Sequence, residues 1–194
     1  VSYLPFDVKQ VRGAVRWGRE FNWPDRFFSG SWSFSTGNSR YFASSDDELI
    51  NYFGNSIESS IEVATDGSPY FSTSGISISQ TIQRDSRNHP EFPSRGSRFV
   101  WISTLSGSLL GGDEDYHKNR FDINFYTPIV NKLVLKSTWV MGAIKPIPVS
   151  GNQRSIVPPT ARFLMGGSGM PYGEMLRGYT DNTIGPYGTY RPKG

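Results

Sequence analysis

The stretch that decides the fold of this chain reads Arg162-Phe163-Leu164-Met165-Gly166-Gly167-Ser168-Gly169 and, after a short spacer, Leu176-Arg177-Gly178-Tyr179-Thr180-Asp181-Asn182-Thr183-Ile184-Gly185-Pro186. It is rich in glycine and has little apolar periodicity. Loops of this length inside an ordered chain are usually functional or disordered, and glycine permits tight and left-handed backbone. We therefore expect a loop of one shape that brings Phe163, Arg177 and Tyr179 to fixed places.

These residues also resemble a known family. A Gly-Gly pair, a spacer, an aliphatic-Arg-Gly-aromatic motif and then Ile-Gly-Pro is similar to the sixth extracellular loop of BamA-type outer-membrane assembly factors and their relatives in two-partner secretion and autotransporter assembly. The alternative is a glycine-rich surface loop of an unrelated β protein. The residues that match the family's loop are Gly166, Gly167, Leu176, Arg177, Gly178, Tyr179, Ile184, Gly185 and Pro186.

Composition limits the classes of protein that remain. The 194 residues are enough for one domain, and no run approaches the roughly 18 apolar residues of a membrane helix. The chain has no cysteine, which excludes a disulfide framework and thiol chemistry. A net charge of +3 with scattered basic residues argues against nucleic acid as a partner. No signal peptide is visible at Val1, so we expect a processed chain or an internal piece.

Five segments alternate apolar and polar residues with period two, which predicts β-strands. A sixth predicted strand, over residues 99–105, is apolar on both faces at Val100, Trp101 and Ile102. The intervening connections alternate between compact turns at 18–26, 85–96 and 127–131 and longer loops at 36–74, 107–116 and from 144 onward. Outer-membrane barrels show this asymmetry between short periplasmic turns and long extracellular loops. The predicted strands run over residues 11–17, 28–35, 75–83, 99–105, 117–126 and 133–143.

Two of the compact turns also resemble turns of the BamA family. One contains Trp23, Pro24 and Asp25, and the other contains Phe92, Pro93, Arg95 and Gly96. The resemblance implies that both turns join barrel strands on the periplasmic side.

The long loop at 36–74 carries its own local signals. Ser45 and Glu48 have the spacing of a capping box, and Gly54 stands where a helix would stop. We predict a short surface helix over Asp46–Phe53 and a possible strand extension over 57–64.

Periodicity alone does not say which face of these strands meets water. In a soluble sandwich the apolar face is the core, whereas in a membrane barrel it meets lipid and Arg12, Arg16, Asp122 and Lys136 face the lumen. Aromatic residues near strand ends and a Ser/Thr/Asn-rich polar face favour the barrel, and the loop motif decides it. The predicted fold is therefore all-β, an antiparallel meander forming part of a transmembrane β-barrel, with a long ordered extracellular loop folded toward the lumen.

The domain organisation follows from the strand count. Six strands are fewer than the series of even-stranded barrels that begins at eight. We expect residues 1–143 to be middle strands of a barrel and residues 144–194 to be the motif-bearing loop. The resemblance implies that POTRA domains and the final barrel strands are absent from this chain.

No catalytic constellation is present, and we expect no enzyme, no cofactor and no metal. His89 and His117 have no partner histidine at ligand spacing. Asp113, Glu114 and Asp115 lack an EF-hand pattern, which predicts a solvated loop rather than a calcium site.

The resemblance implies a function without bond chemistry, in the bacterial outer membrane: folding and inserting β-barrel proteins. Arg177 would latch the loop to carboxylates on later strands beyond Gly194, with Tyr179 beside it and Gly178 permitting close approach. The implied partners are the outer-membrane bilayer, unfolded outer-membrane clients, the remaining strands of the barrel, and lipoprotein or periplasmic accessory subunits. The alternatives are a two-partner secretion or autotransporter assembly pore, a soluble β-sandwich binding module, and an ordinary porin or receptor barrel.

Overall fold

The computed structural model describes residues 6–107, 110–130, 132–148, 156–167, 174–180 and 184. These residues form mainly β-strands, with one α-helix, α1 (Asp46–Phe53), and short 3-10 helices at Asn55–Ser60 and Pro159–Ala161. The strands are β1 (Phe6–Glu20), β2 (Phe28–Ala43), β3 (Ile61–Val63), β4 (Pro69–Asp85), β5 (Gly96–Ser106), β6 (Tyr116–Val130) and β7 (Leu133–Pro146).

The strands form one antiparallel sheet in the order β1-β2-β4-β5-β6-β7, with the short β3 added to β4. Consecutive long strands are neighbours, as expected of a meander, and β1 and β7 each have one strand partner among the described residues. The fold class is confirmed as an antiparallel β segment of a partial barrel. The sandwich alternative is wrong, because the described strands make a single sheet and not two facing ones.

The strands are longer than the sequence pattern predicted. The loop predicted at 36–74 is wrong at both ends, because β2 continues to Ala43 and pairs with a β4 that already begins at Pro69. Inner-face residues Ser39 and Tyr41 are buried there, at 2% and 0% exposure, under the connecting segment. Ser39 is polar although it is buried on the inner face, and Arg40 on the outer face is charged, so the alternation of apolar and polar residues that identifies a strand is lost there.

Two further boundaries differ from the prediction. The turn predicted at 127–131 is wrong, since β6 runs to Val130 through an irregularity between Pro128 and Val130. The reversal lies at Lys132, which has a φ of 66°. The predicted extension over 57–64 is reduced to Ile61–Val63, because a 3-10 helix occupies the preceding residues.

Helix α1 covers the predicted residues Asp46–Phe53. Ser45 is its N-cap but makes no side-chain capping bond. The Glu48 carboxylate instead accepts a hydrogen bond of 3.1 Å from the backbone N–H of Ser44. Gly54 ends the helix with a φ of 94°, and its N–H donates to the Ile50 carbonyl at 2.7 Å. Only half of the predicted capping box therefore forms, displaced by one residue.

The sheet has an outer face and an inner face. The outer face exposes contiguous apolar side chains, with Val11 at 80% and Trp139 at 62% exposure. The inner face carries serine, threonine and charged side chains, and the segment after β7 lies against it. Among the described residues, no helix is long and apolar enough to cross a membrane.

The buried core lies at one end of the sheet, which we call the long-loop end because the connections after β2, β5 and β7 meet there. Helix α1, the following 3-10 helix and the segment after β7 close over the inner face of β2 and β4. The buried apolar residues of this cluster are Tyr41, Ala43, Leu49, Ile57, Phe71 and Ile156.

Candidate functional site

The sequence points to the segment after β7, and the described parts of residues 156–184 are here called the motif loop. Its 3-10 turn and the residues that follow lie on the inner face of β6 and β7. Two sets of contacts fix it, one on the wall formed by β6 and β7 and one at the long-loop end.

The motif loop is held together by its own backbone pairing. Met165 forms a parallel bridge with Glu174 and an antiparallel one with Ile184, and Gly167 pairs with Leu176. The Ile184 N–H donates to the Met165 carbonyl at 2.9 Å, and the Gly166 N–H donates to the Glu174 carbonyl at 3.1 Å. The described residues of the motif loop are therefore paired with one another.

The Gly-Gly pair has a physical reason in this pairing. Gly166 has a φ of 136° and Gly167 a φ of 51°, in the region that other residues rarely adopt. The reversal between the Met165 bridge and the Gly167 bridge depends on these two angles. A side chain at either position would strain the connection between the two halves of the motif.

Phe163 docks the motif loop onto the wall of the sheet. Its ring lies over Gly142 of β7, where a built Cβ would come within 2.5 Å of the Phe163 Cζ atom. The Lys118 ammonium group lies 4.3 Å from the centroid of the same ring. Lys118 also donates to the Ala161 carbonyl at 2.7 Å. Glycine at position 142 thus makes the space, and Lys118 clamps the ring and the backbone together.

A second wall contact is ionic. The Arg120 guanidinium on β6 pairs with the Glu174 carboxylate of the motif loop and also with Asp122 at 3.0 Å. The side chains of Arg120 and Glu174 are 27% and 37% exposed, so water screens the pair in part. The contact fixes the return segment of the loop next to β6.

Arg177, Gly178 and Tyr179 lie beyond these contacts on an exposed turn. Gly178 has a φ of 91°, and Tyr179 is 55% exposed. Arg177 makes no hydrogen bond or ion pair with any of the described residues. Leu176 is half-buried, whereas Gly185 and Pro186 lie outside the described residues.

The connection between β5 and β6 forms the anchor at the long-loop end. Glu114 is 2% exposed, and its carboxylate accepts a hydrogen bond of 3.0 Å from the Thr73 hydroxyl. The carboxylate occupies the space over Gly75, where a built Cβ would be 2.6 Å from Oε2. The Glu114 backbone also forms a parallel bridge with Ile156 of the motif loop, so this residue joins β4 through its side chain and the motif loop through its backbone.

Neighbouring backbone groups complete this anchor. The Asp115 N–H donates to the Ile156 carbonyl at 3.1 Å, and the Ile156 N–H donates to the Asp113 carbonyl at 3.2 Å. The Asp113 carboxylate accepts from the Ser74 hydroxyl at 2.8 Å. The prediction of a solvated acidic loop is wrong, because Glu114 and Asp115 are buried at 2% and 1% exposure. The described residues contain no group of three or more side chains that could hold a metal ion.

Burial shifts the ionisation of Glu114. Desolvation raises the pKa of its carboxyl above the ordinary value, while the Thr73 hydrogen bond and the charge of Arg12 oppose the shift. The protonated form is therefore favoured more in the folded chain than in the unfolded chain. The stabilisation is full below the ordinary pKa of Glu114 and is lost as the pH rises through the folded-state pKa.

The first turn motif is fixed at the opposite end of the sheet, where Arg84 of β4 pairs with Asp25 at 2.8 Å. The Phe27 N–H donates to the same carboxylate at 2.9 Å. Although desolvation acts to raise the pKa of Asp25, these hydrogen bonds outweigh it and the pKa is lowered. Trp23, before Pro24, is 84% exposed and projects from the turn.

The second turn motif is organised by side-chain acceptors. Asn88 Oδ1 accepts from the N–H groups of Ser94 and Arg95 at 3.0 and 3.1 Å. His89 Nδ1 accepts from the Phe92 N–H at 3.1 Å, which gives this histidine a structural role in the turn before Pro93. Gly96 follows with a φ of 106°.

The sequence analysis missed most of the residues that anchor the motif loop. Lys118, Arg120, Gly142 and Glu174 were not singled out, although period two places Lys118 and Arg120 on one face of β6. That placement could have predicted a contact with another segment, because two cationic side chains on the inner face of a sheet need partners. Which segment supplies those partners depends on the path of a loop without periodicity.

Comparison with known proteins gives consistent results. A family model described as the Omp85 superfamily domain matches residues 2–192. The crystal structure of BamA from Haemophilus ducreyi lacking POTRA domains 1-3 is similar with a TM-score of 0.71 and 18% identity, over 95% of this chain and 32% of that chain. At that identity the likeness shows the fold alone, and the chain spans about a third of that relative. No curated protein sequence matches.

Proposed function

The chain belongs to the Omp85 superfamily, and on that premise we propose that it is part of a machine that folds β-barrel proteins and inserts them into the bacterial outer membrane. The superfamily comprises outer-membrane barrels for protein assembly and secretion, and the location in the bacterial outer membrane follows from it. Membership also argues against an ordinary porin or receptor barrel. Members of this kind are assembly factors and not enzymes.

The observation that carries the proposal is the docking of the motif loop on the inner face of β6 and β7. The loop lies on the inner face and is fixed at two places, and the turns that carry Trp23 and Phe92 favour an assembly factor over a secretion pore. Phe163 contacts both Gly142 and Lys118, and the Arg120–Glu174 pair holds the returning segment. A loop held in this way supports a structural role inside an assembly barrel.

We assign Arg177 the role of a latch. The wall contacts leave it on an exposed turn without a partner among the described residues, with Gly178 at a positive φ of 91° beside it. A guanidinium group presents a rigid fork of donors that matches a carboxylate. The proposed partners are carboxylates on strands supplied by the rest of the protein, with Tyr179 packed beside the pair.

The domain assignment is part of the same proposal. Residues 1–143 supply middle strands of the barrel, and residues 144–194 supply the loop with its Gly166-Gly167 and Ile184-Gly185-Pro186 motifs. The single-partner edges of β1 and β7 support further strands on both sides, because a barrel in a membrane leaves no free edge. The clients are unfolded outer-membrane proteins, and accessory subunits are expected at the turns that carry Trp23 and Phe92.

The test replaces Arg177 by alanine in the full-length protein while the wild-type copy is depleted. We expect folded, heat-modifiable outer-membrane barrels to decline while the variant remains in the membrane. If barrels persist and one secreted protein accumulates in the periplasm, the protein is a secretion pore of the same superfamily. If neither quantity changes, Arg177 is not a latch. Arg16→Ala, at an exposed position of β1, is the matched control.

A further inference from the structure

The outer face carries a group of polar side chains at the long-loop end, on the opposite side of the sheet from the motif loop. We call it the outer polar cluster and define it as Trp101, Ser103, His117 and Asn119. Asn119 Oδ1 accepts from Trp101 Nε1 at 3.1 Å. Ser103 Oγ lies 3.0 Å from His117 Nε2, and Asn119 Nδ2 lies 3.2 Å from the same nitrogen.

This network indicates which tautomer His117 adopts. Because Trp101 can only donate, the Asn119 oxygen faces Trp101 and its NH2 group faces His117. His117 Nε2 is then an acceptor, so the ring proton sits on Nδ1. Lys145 is the register partner of His117 on β7 and shares its face. Among the described residues, neither Nδ1 of His117 nor the ammonium group of Lys145 has a partner.

The cluster borders a groove of about 530 Å³, a volume within the usual range of small-ligand sites. Its walls are mainly apolar and include Trp32 of β2, Ile78 of β4, Leu105 of β5 and Ile147 after β7. His117 and Lys145 lie at the same groove. An apolar trough with two hydrogen-bond donors, one of them cationic, matches an amphiphile with an anionic head.

The position along the strands agrees with this chemistry. The outer-face residues of β7 from Leu133 to Ala143 are mostly apolar, and ten residues of strand span about 33 Å. At a tilt of about 40° this covers about 25 Å, the height of the apolar band of an outer-membrane barrel. Lys145 comes two residues later, at the level where lipid headgroups begin.

We propose that this groove binds a phosphate-bearing lipid of the leaflet on the long-loop side, with its phosphate between Lys145 and the Nδ1–H of His117 and an acyl chain along Ile78 and Leu105. A lysine beside a phosphate is a common recognition element, and at a membrane surface it contributes a roughly fivefold preference for anionic lipid. The site depends on the location of the chain in a membrane and not on the client it serves.

Native mass spectrometry of the full-length protein in detergent tests the proposal with dioleoylphosphatidic acid and dioleoylphosphatidylcholine as probes. We expect Lys145→Gln to weaken phosphatidic acid binding about fivefold and to leave phosphatidylcholine binding unchanged. Lys136→Gln, on the same strand but on the inner face near the other end, is the matched control. His117→Gln, which cannot offer the same ring donor, should weaken phosphatidic acid binding in the same direction.

Three outcomes would overturn the proposal. Equal weakening by Lys145→Gln and Lys136→Gln would mean a general charge effect. Displacement of the lipid by an excess of inorganic phosphate would mean that a free anion is the ligand. Unchanged lipid binding in both Lys145→Gln and His117→Gln, with heat-modifiability intact, would mean that the groove holds something other than an anionic lipid.

Discussion

Replacing Gly142 by alanine tests how the motif loop is held on the inner face. The new Cβ would lie 2.5 Å from Phe163 Cζ and 2.7 Å from Cε1, so the ring must move by about 1 Å to reach van der Waals distance. The Lys118 ammonium group, 4.3 Å from the ring centroid, restricts that movement. We therefore expect the substitution to separate Phe163 from the wall.

The magnitude follows from what that separation removes. Burying a phenylalanine side chain contributes about 1.5–3 kcal/mol when complete, and Phe163 is half-buried. The cation–π contact with Lys118 adds about 0.5–1 kcal/mol at a partly exposed site. We take about 2 kcal/mol as the loss, which corresponds to an increase of about 30-fold in the undocked population.

The assay uses a thiol at the buried position next to Phe163. Leu164 is 4% exposed and the chain has no cysteine, so Leu164→Cys in a cysteine-free full-length background reports undocking through its rate of labelling by a bulky maleimide. Gly142→Ala should raise that rate about 30-fold. Gly13→Ala is the matched control, because a Cβ at position 13 meets nothing within 4 Å.

A double-mutant cycle identifies the cause. Phe163→Ala alone should raise labelling by a similar factor, and adding Gly142→Ala to it should change the rate less than about twofold, because the ring is gone. The reasoning is refuted if Gly142→Ala labels within about threefold of Gly13→Ala. It is also refuted if the two substitutions are additive, since the effect would then not come from the contact between them.

Three further predictions concern the other contacts. Gly75→Ala should lower the free energy of unfolding in urea by about 1–3 kcal/mol relative to Gly13→Ala, because it displaces the buried Glu114 carboxylate; equal urea midpoints would contradict this. Glu114→Gln should raise the urea midpoint of unfolding at neutral pH, because the pKa of Glu114 is raised in the folded chain. The difference in urea midpoint from wild type should shrink as the pH falls toward 4.5, the ordinary pKa of Glu114. A difference that stays constant with pH would contradict this prediction. Arg120→Gln should raise the labelling rate of Leu164→Cys by less than about fivefold, because the ion pair between Arg120 and Glu174 is partly exposed. Added salt should reduce the difference in labelling rate between Arg120→Gln and the unsubstituted background. A much larger rise that does not depend on salt would show that Arg120 has a role besides its ion pair with Glu174.

The sequence revealed the elements with strong local signals. The period-two alternation of residues 117–126 and 133–143 placed β6 and β7 nearly correctly, because a strand with one apolar face has that period by geometry. Helix α1 was predicted to the residue, since Gly54 supplies the left-handed angle at which it stops. The Gly166-Gly167 pair indicated an ordered loop for the same reason, and both residues have positive φ.

The missed features depend on contacts between distant segments. The strand ends around Ser39 and Tyr41 are buried by a connection that lies elsewhere in the sequence, so local polarity hid them. The acidic run at Asp113–Asp115 was predicted to be solvated, yet a buried carboxylate is stable there because Thr73 donates to it and Gly75 makes room. No local pattern distinguishes a wet acidic loop from an acid placed under another strand.

The motif loop is anchored at two separate places. Ile156 is fixed beside Glu114 at the long-loop end, and Phe163, seven positions later in the sequence, is fixed on β7. Loss of one anchor leaves the other to limit the excursion of the loop, so single substitutions should weaken docking without releasing it. The exposed turn at Arg177 follows both anchors in the chain. Its position is therefore set by the wall of β6 and β7 before any contact of its own forms, which is the preorganisation that a latch requires.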